Sequence, residues 1–157
     1  MKTLFLVVGR TVEPHFVAAI ADYVGRIGHY TPFETEVIPE LKNTRSLTQE
    51  QQKAQEGEVI LKSLSTGDWV VLLDEHGKEY RSTELAAWLQ RKQSSVTKRL
   101  VFVVGGPYGF SQAVYSRANE QLSLSRLTFS HQMVRLVFVE QLYRALTILN
   151  GTPYHHE

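Results

Sequence analysis

Chemistry is most legible in residues 100–135, LVFVVGGPYGFSQAVYSRANEQLSLSRLTFSHQMVR. Residues 100–104 form an unbroken apolar run rich in valine, the pattern of a strand buried on both faces. The run stops abruptly at Gly105, Gly106, Pro107, Tyr108 and Gly109. Glycine carries no Cβ and tolerates positive φ, so another backbone or a ligand can approach closely there. A second short strand, expected over 122–125, leads into a polar, irregular segment and then a long apolar helix. Two strand ends that each open into a loop with exposed backbone groups make a ligand cleft at one edge of an α/β sheet.

The ligand such a loop suits is not a nucleoside phosphate. A dinucleotide fingerprint needs G-x-G-x-x-G and a phosphate-cradling loop needs G-x-x-x-x-G-K-[ST]; the sequence has neither. No lysine follows the glycines, so nothing is placed to hold β- and γ-phosphates. Taken alone, Gly105-Gly106 reads more readily as only a tight turn between a strand and a helix.

The elements that must position this stretch follow from the rest of the chain. Residues 3–8 predict a buried first strand ending at Gly9. Pro14 suits the first position of a helix whose face is Phe16, Ile20, Tyr23, Val24 and Ile27, with Gly28 as its stop. Residues 33–38 alternate as a half-exposed strand closed by Pro39. Residues 42–55 are the most polar part of the chain, and Thr48 can cap a helix running on to Gly67. A charge run of this kind usually forms a solvated helix face; direct contact of Lys42 and Arg45 with RNA is the lesser alternative. Residues 68–73 predict a buried strand, 75–78 a turn, and Ser82 with Glu84 the start of a helix through Trp88. A strand at 98–104, a helix at 111–119 and a strand at 122–125 complete the alternation. The fold class is α/β: a single-domain, mainly parallel sheet sandwiched by helices.

The final helix, expected over 131–149, is apolar nearly all round; Glu140, Arg144 and Thr147 leave a narrow polar stripe. Such a helix must be covered on more than one side, which predicts a homodimer. Glu140 and Arg144 stand at pairing distance on it.

Composition bounds the partners. At 157 residues, with 43% hydrophobic and 21% charged residues, the chain is that of one ordinary globular domain, 1–157. A formal charge of +1 excludes a generic nucleic-acid coat but leaves room for specific recognition of a folded RNA. The absence of cysteine removes disulfides, thiolate nucleophiles and zinc-cysteine sites. Residues 4–8 are too short for a signal peptide, and no run reaches membrane-spanning length, so a cytoplasmic protein without a membrane partner is expected.

The ordered blocks GGPYG, LSLSRLTFSHQMVR, EQLYRA and GTPYHHE, together with the LVVGR start, resemble the ribosomal large subunit methyltransferase H family of the SPOUT superfamily. The resemblance covers the whole chain. It implies an S-adenosylmethionine-dependent enzyme that methylates N3 of a pseudouridine in 23S rRNA, on a sheet whose C-terminal part is threaded into a trefoil knot. It further implies a cytoplasmic homodimer acting on assembled ribosomes. The cofactor would be contacted by Leu73 in VLLD, by Gly105 in GGPYG, and by Leu124, Ser125, Arg126, Leu127, Thr128 and Phe129 in LSLSRLTF. His156 stands where relatives often carry Arg or Lys and receives no role.

The residues agree with this on physical grounds. A donor without phosphates needs backbone groups for its adenine and an apolar wall, which Leu73, Leu124 and Leu127 can supply. Methyl transfer from a sulfonium is an in-line displacement, so positioning carries most of the catalysis. The uridine-like N3 must lose a proton, and a base or a cation helps the resulting anion. The candidates are His131, Arg135, Arg144, Tyr154 and His155, of which Tyr154 and His155 are favoured: Gly151 and Pro153 turn the tail, and an aromatic residue beside histidine suits stacking on a base. The plain alternatives are a helix-start histidine on the core, a structural Glu140–Arg144 pair, and a frayed terminus. A non-catalytic ribosome-binding module and a flavodoxin-like binder remain as other classes. A metal site built on His131, His155 and His156 is not expected, because no carboxylate-histidine spacing of a known site is present.

Overall fold

A computed structural model describes residues 1–156. Strand and helix alternate along it: β1 (Lys2–Val8), α1 (Pro14–Gly28), β2 (Phe33–Ile38), α2 (Gln49–Lys62), β3 (Trp69–Glu79), α3 (Ser82–Ser95), β4 (Arg99–Val104), α4 (Gln112–Arg117), β5 (Glu120–Ser123) and α5 (Met133–Asn150). The strands form one sheet in the order β2-β1-β4-β3-β5, with every pairing parallel. This is the α/β sandwich expected from the sequence. No helix among the described residues is long and apolar enough to cross a membrane.

The alternation of side chains along the strands builds two cores. Phe5, Val7, Leu100 and Phe102 face α1, α3 and α5, where they meet Ile27, Trp88 and Phe138. Leu4, Leu6, Val101 and Val103 face the other way, onto Ile60 of α2 and Val114 of α4. The central strands are therefore apolar on both faces, which is why they read as continuous runs rather than as alternating ones.

Helix α5 is apolar nearly all round for a reason the sequence does not reveal: α1 and α3 both pack along it while its inner face sits on the sheet. Most of the girdle is thus covered within the chain, and the pattern by itself does not require a second subunit.

Three boundaries differ from expectation. α2 ends at Lys62, with Ser63 as its C-cap, rather than running on to Gly67. β3 does not turn at 75–78; its pairing with β5 slips, so that both Leu73 and Lys78 stand opposite Leu122, and the residues between bulge out of the ladder. β5 begins at Glu120 rather than 122, because the Glu120 carboxylate accepts the indole N–H groups of Trp69 (2.6 Å) and Trp88 (2.9 Å) and pairs with Lys92 (3.0 Å). The N-terminal end of the sheet is closed by a second polar cluster. Arg99 donates to both Asp68 carboxylate oxygens (2.9 and 2.6 Å), and the Ser65 amide donates to Asp68 as well (2.7 Å).

Candidate active site

A cavity of about 650 Å3 opens at the opposite end, where β4 and β5 finish and β3 bulges after Leu73. Parallel strands bring their C-terminal ends to the same edge, so loops far apart in sequence meet there. Leu73 and Asp74 come from β3, and Val104 leads into Gly105, Gly106 and the turn to Phe110. The segment after β5 supplies Leu124, Ser125, Leu127, Thr128, Phe129 and His131, and α5 adds Val134. Gln49, Glu50 and Lys53 close one side from the first turns of α2.

Local hydrogen bonds fix each wall. The Gly109 amide donates to Gly106 O (3.2 Å), with Gly109 at φ +80°, so the glycine loop is a closed turn and not a loose coil. A Cβ on Gly105 would lie 3.0 Å from the Phe110 ring, so the space beside that residue is already filled on one side. In the segment after β5, Ser123 Oγ donates to Ser125 O (2.9 Å) and the Leu127 amide to Ser125 Oγ (3.0 Å). Thr128 ties the segment to Glu75 (3.0 Å), and Ser130 Oγ accepts the Met133 amide (3.0 Å) where α5 begins. These bonds leave Leu127 74% exposed at the cavity edge.

Asp74 organises the floor. Tyr115 donates its hydroxyl to Asp74, and the His76 amide donates to the other carboxylate oxygen (2.8 Å). Burial, reinforced by the Asp74 and Glu75 charges, pushes the Tyr115 phenol above its usual range, so it stays a donor.

Arg135 is 1% exposed and does not face the cavity. Its guanidinium donates to Val8 O (2.8 Å), Gly9 O (2.7 Å) and Thr11 Oγ1 (3.1 Å), and its Nε to His131 O (2.8 Å). It therefore joins the end of β1 to the start of α5 and holds His131 in the cavity wall. Burial lowers its pKa from the usual guanidinium range, with the Glu40 charge acting the other way.

The tail forms a separate cluster. After α5 ends at Gly151 (φ +68°), the chain folds back along the helix, so Tyr154 donates to Glu140 (3.0 Å) and its hydroxyl meets that of Tyr23 (3.3 Å). Arg144 pairs with Glu140 (2.5 Å), contacts His155 Nδ1 (3.1 Å) and stacks over the Tyr154 ring at 4.8 Å. Burial and then the Tyr23 and Glu140 contacts raise the Tyr154 pKa, which keeps it a phenol. Arg144, Tyr154 and His155 are thus assembled together, as a set, but none of them lines the cavity. Glu157 lies outside the described residues.

Seven of the eight residues expected at the cofactor line one cavity; Arg126 does not, its side chain being 86% exposed and 3.7 Å from Glu79. Sequence reasoning missed Asp74, Tyr115 and the α2 residues. Asp74 carried a readable signal, an acidic residue at the end of a buried strand; Tyr115 and α2 did not, since the sheet topology alone brings them over the glycine loop. Among the described residues no group of three or more His, Asp or Glu could hold a metal ion.

The cavity fits a phosphate-free adenosyl donor. It has leucine walls, loops with backbone donors and acceptors, and bare glycine backbone at Gly105 and Gly106. Lys53 is its one lysine, and that ammonium already pairs with Glu50 (2.9 Å), so no phosphate cradle is present.

A parallel α/β sheet with such a cavity in its C-terminal part belongs to a known class, and the chain is a member of the SPOUT methyltransferase family, whose description, "Predicted SPOUT methyltransferase", matches residues 1–155. It is 66% identical to the Ribosomal RNA large subunit methyltransferase H of Bacteroides fragilis over 157 residues, covering 100% of both chains. Proteins of the same name from Phocaeicola vulgatus and Parabacteroides distasonis are 65% and 59% identical, again over 100% of each chain.

Proposed function

We propose that this chain is an S-adenosylmethionine-dependent methyltransferase that modifies N3 of a pseudouridine in 23S rRNA, acting as a cytoplasmic homodimer on assembled ribosomes. The observation that carries the reading is the cavity at the ends of β4 and β5 and the bulge of β3, framed by Gly105-Gly106 and the segment from Leu124 to Phe129, in a chain of this family. The name of its 66% identical relative supplies the substrate class. A single domain over 1–157 with a C-terminal trefoil knot is part of the proposal.

Leu73, Gly105, Leu124, Ser125, Leu127, Thr128 and Phe129 would hold the cofactor, which when bound supplies an electrophilic methyl group. Gly105 and Gly106 would offer bare backbone to it, and Leu73 and Leu124 an apolar face that would exclude water. Arg126, exposed at the rim, would meet phosphate rather than the cofactor. Arg144, Tyr154 and His155 would receive the target base: the guanidinium offers a cation to the N3 anion, and the Tyr154 ring a stacking face. Arg135 enters as a positioning residue, because its buried guanidinium is committed to backbone carbonyls.

Since the tail cluster lies off the cavity of its own chain, a homodimer would bring one protomer's tail to its partner's cavity. Val12 and Met133 support such a surface: both are exposed, at 62% and 37%, and Gln132 Oε1 accepts the Val12 amide (3.0 Å), joining them in one patch beside His131. The test is transfer of labelled methyl groups to ribosomes from cells lacking this protein. Modification of one pseudouridine at N3 is expected; purified protein that leaves those ribosomes unlabelled would overturn the proposal.

A further inference from the structure

Glu56 and Asp68 are the two buried acidic side chains among the described residues, each 5% exposed. Asp68 has a full set of partners, whereas Glu56 has one: Oε2 accepts from Gln52 Nε2 (3.1 Å), while Oε1 has no hydrogen-bond partner. A buried carboxyl is costly to leave in this state and calls for an explanation.

Its surroundings give one. A Cβ placed on Gly106 would sit 2.4 Å from Glu56 Oε1 and 2.9 Å from its Cδ and Oε2, so the carboxyl lies flat against that glycine. The next residue grips the other end of the loop: a Cβ on Gly57 would meet Ser111 Oγ at 2.4 Å, and Ser111 caps α4 by accepting the Val114 amide (3.3 Å). The Glu56-Gly57 step of α2 therefore touches both ends of the loop whose inner side is the cavity wall. We propose that Glu56 is a positioning residue of the methyl-donor site, its carboxyl holding residues 105–110 from behind in the conformation that binds the donor. This rests on the reading of the cavity given above.

Burial raises the Glu56 pKa above the usual carboxylate range, the Gln52 bond acts the other way, the Glu40 charge after β2 adds to the rise, and His131 before α5 opposes it. From the loop side, Gly106 presents backbone without charge. A proton on the carboxyl removes the need to desolvate a charge beside that backbone. The folded state keeps a proton the unfolded chain would release, so the support is full at low pH and is lost as pH rises through the folded pKa.

The test compares the full-length protein with Glu56→Gln and Glu56→Ala. Two readouts are used: amide hydrogen exchange in residues 105–110 without ligand at one pH, and calorimetric S-adenosylmethionine affinity from about pH 4, near the ordinary carboxylate range, to about pH 8. In the unmodified protein the affinity should fall as pH rises through the raised carboxyl pKa. Glu56→Gln, a neutral isostere, should keep loop protection and give a flat profile. Glu56→Ala should exchange its loop about tenfold faster and bind about tenfold more weakly at every pH. Equal loop protection in all three proteins would overturn the inference, as would identical pH profiles for the unmodified and Glu56→Gln proteins. Should Glu56→Ala fail to fold, the Glu56→Gln profile decides. If no form binds the donor, the reading of the cavity falls, and loop exchange still decides whether Glu56 holds the loop.

Discussion

The two ends of this sheet solve the problem of buried charge in opposite ways. At the N-terminal end Asp68 and Arg99 meet through two short hydrogen bonds, Ser65 adds a third, and Arg117 donates to the Asp68 carbonyl (3.2 Å). At the C-terminal end Arg135 has backbone carbonyls in place of an acid, and Glu56 keeps an oxygen without a partner. The first end is saturated and does nothing but hold strands together. The second keeps polar capacity and open space, the signature of a site built for a ligand at some cost in stability.

Breaking the saturated end should produce the largest effect. Asp68→Asn leaves Arg99 charged and half-satisfied under the sheet, which should lower unfolding stability by about 3–5 kcal/mol, the usual cost of removing one member of a buried pair. Burial alone would raise the Asp68 pKa, but the Arg99 bonds and the Ser65 amide hold it below the usual range. Its contribution is therefore present at neutral pH and is lost as pH falls through the folded pKa. Denaturant titration at pH 7 and at about pH 3 should show the gap between the two proteins closing in acid. A constant gap would mean the pair is not what matters.

Next in size is removal of the tail. Deleting residues 153–157 takes away Tyr154 and His155, neither of which lines the cavity. Methyl transfer should fall by at least ~100-fold while donor affinity stays nearly unchanged. Loss of both together would place the tail in the fold or the cofactor pocket; full transfer would make it a frayed end.

A smaller effect tests whether α2 acts through its first turn. Thr48 and Gln51 form a reciprocal capping box, the Gln51 amide donating to Thr48 Oγ1 (3.1 Å) and the Thr48 amide to Gln51 Oε1 (2.9 Å). Thr48→Ala should cost about 1 kcal/mol of stability. Because Gln49, Glu50 and Lys53 line the cavity, it should also weaken donor binding slightly, which the Asp68→Asn protein should not do.

How much of this the sequence carried depends on how local the cause was. The strands β1 and β4 were readable because burial on both faces leaves an unbroken apolar run, and the cavity was readable because glycines mark where one such run ends. Thr48 and Pro14 marked helix starts through chemistry confined to one turn. The tail was not readable as a packed element, since Tyr154 finds Tyr23 across the whole chain. Arg135 looked like a substrate cation because nothing near it in sequence shows that the carbonyls of Val8 and Gly9 wait for it. Glu56 follows the most polar stretch and reads as solvated; only the sheet order puts α2 over the glycine loop.

The most direct measurement is calorimetric titration of S-adenosylmethionine into the full-length protein, its Gly105→Val form and its Asp68→Asn form. A valine at position 105 would place its Cβ 3.0 Å from the Phe110 ring, so the ring or the loop that lines the cavity must give way. One site per chain is expected in the unmodified and Asp68→Asn proteins, with no binding by Gly105→Val although that protein still folds. Undiminished binding by Gly105→Val, or none by the unmodified protein, would show that the cavity at the C-terminal end of the sheet is not where the methyl donor lies.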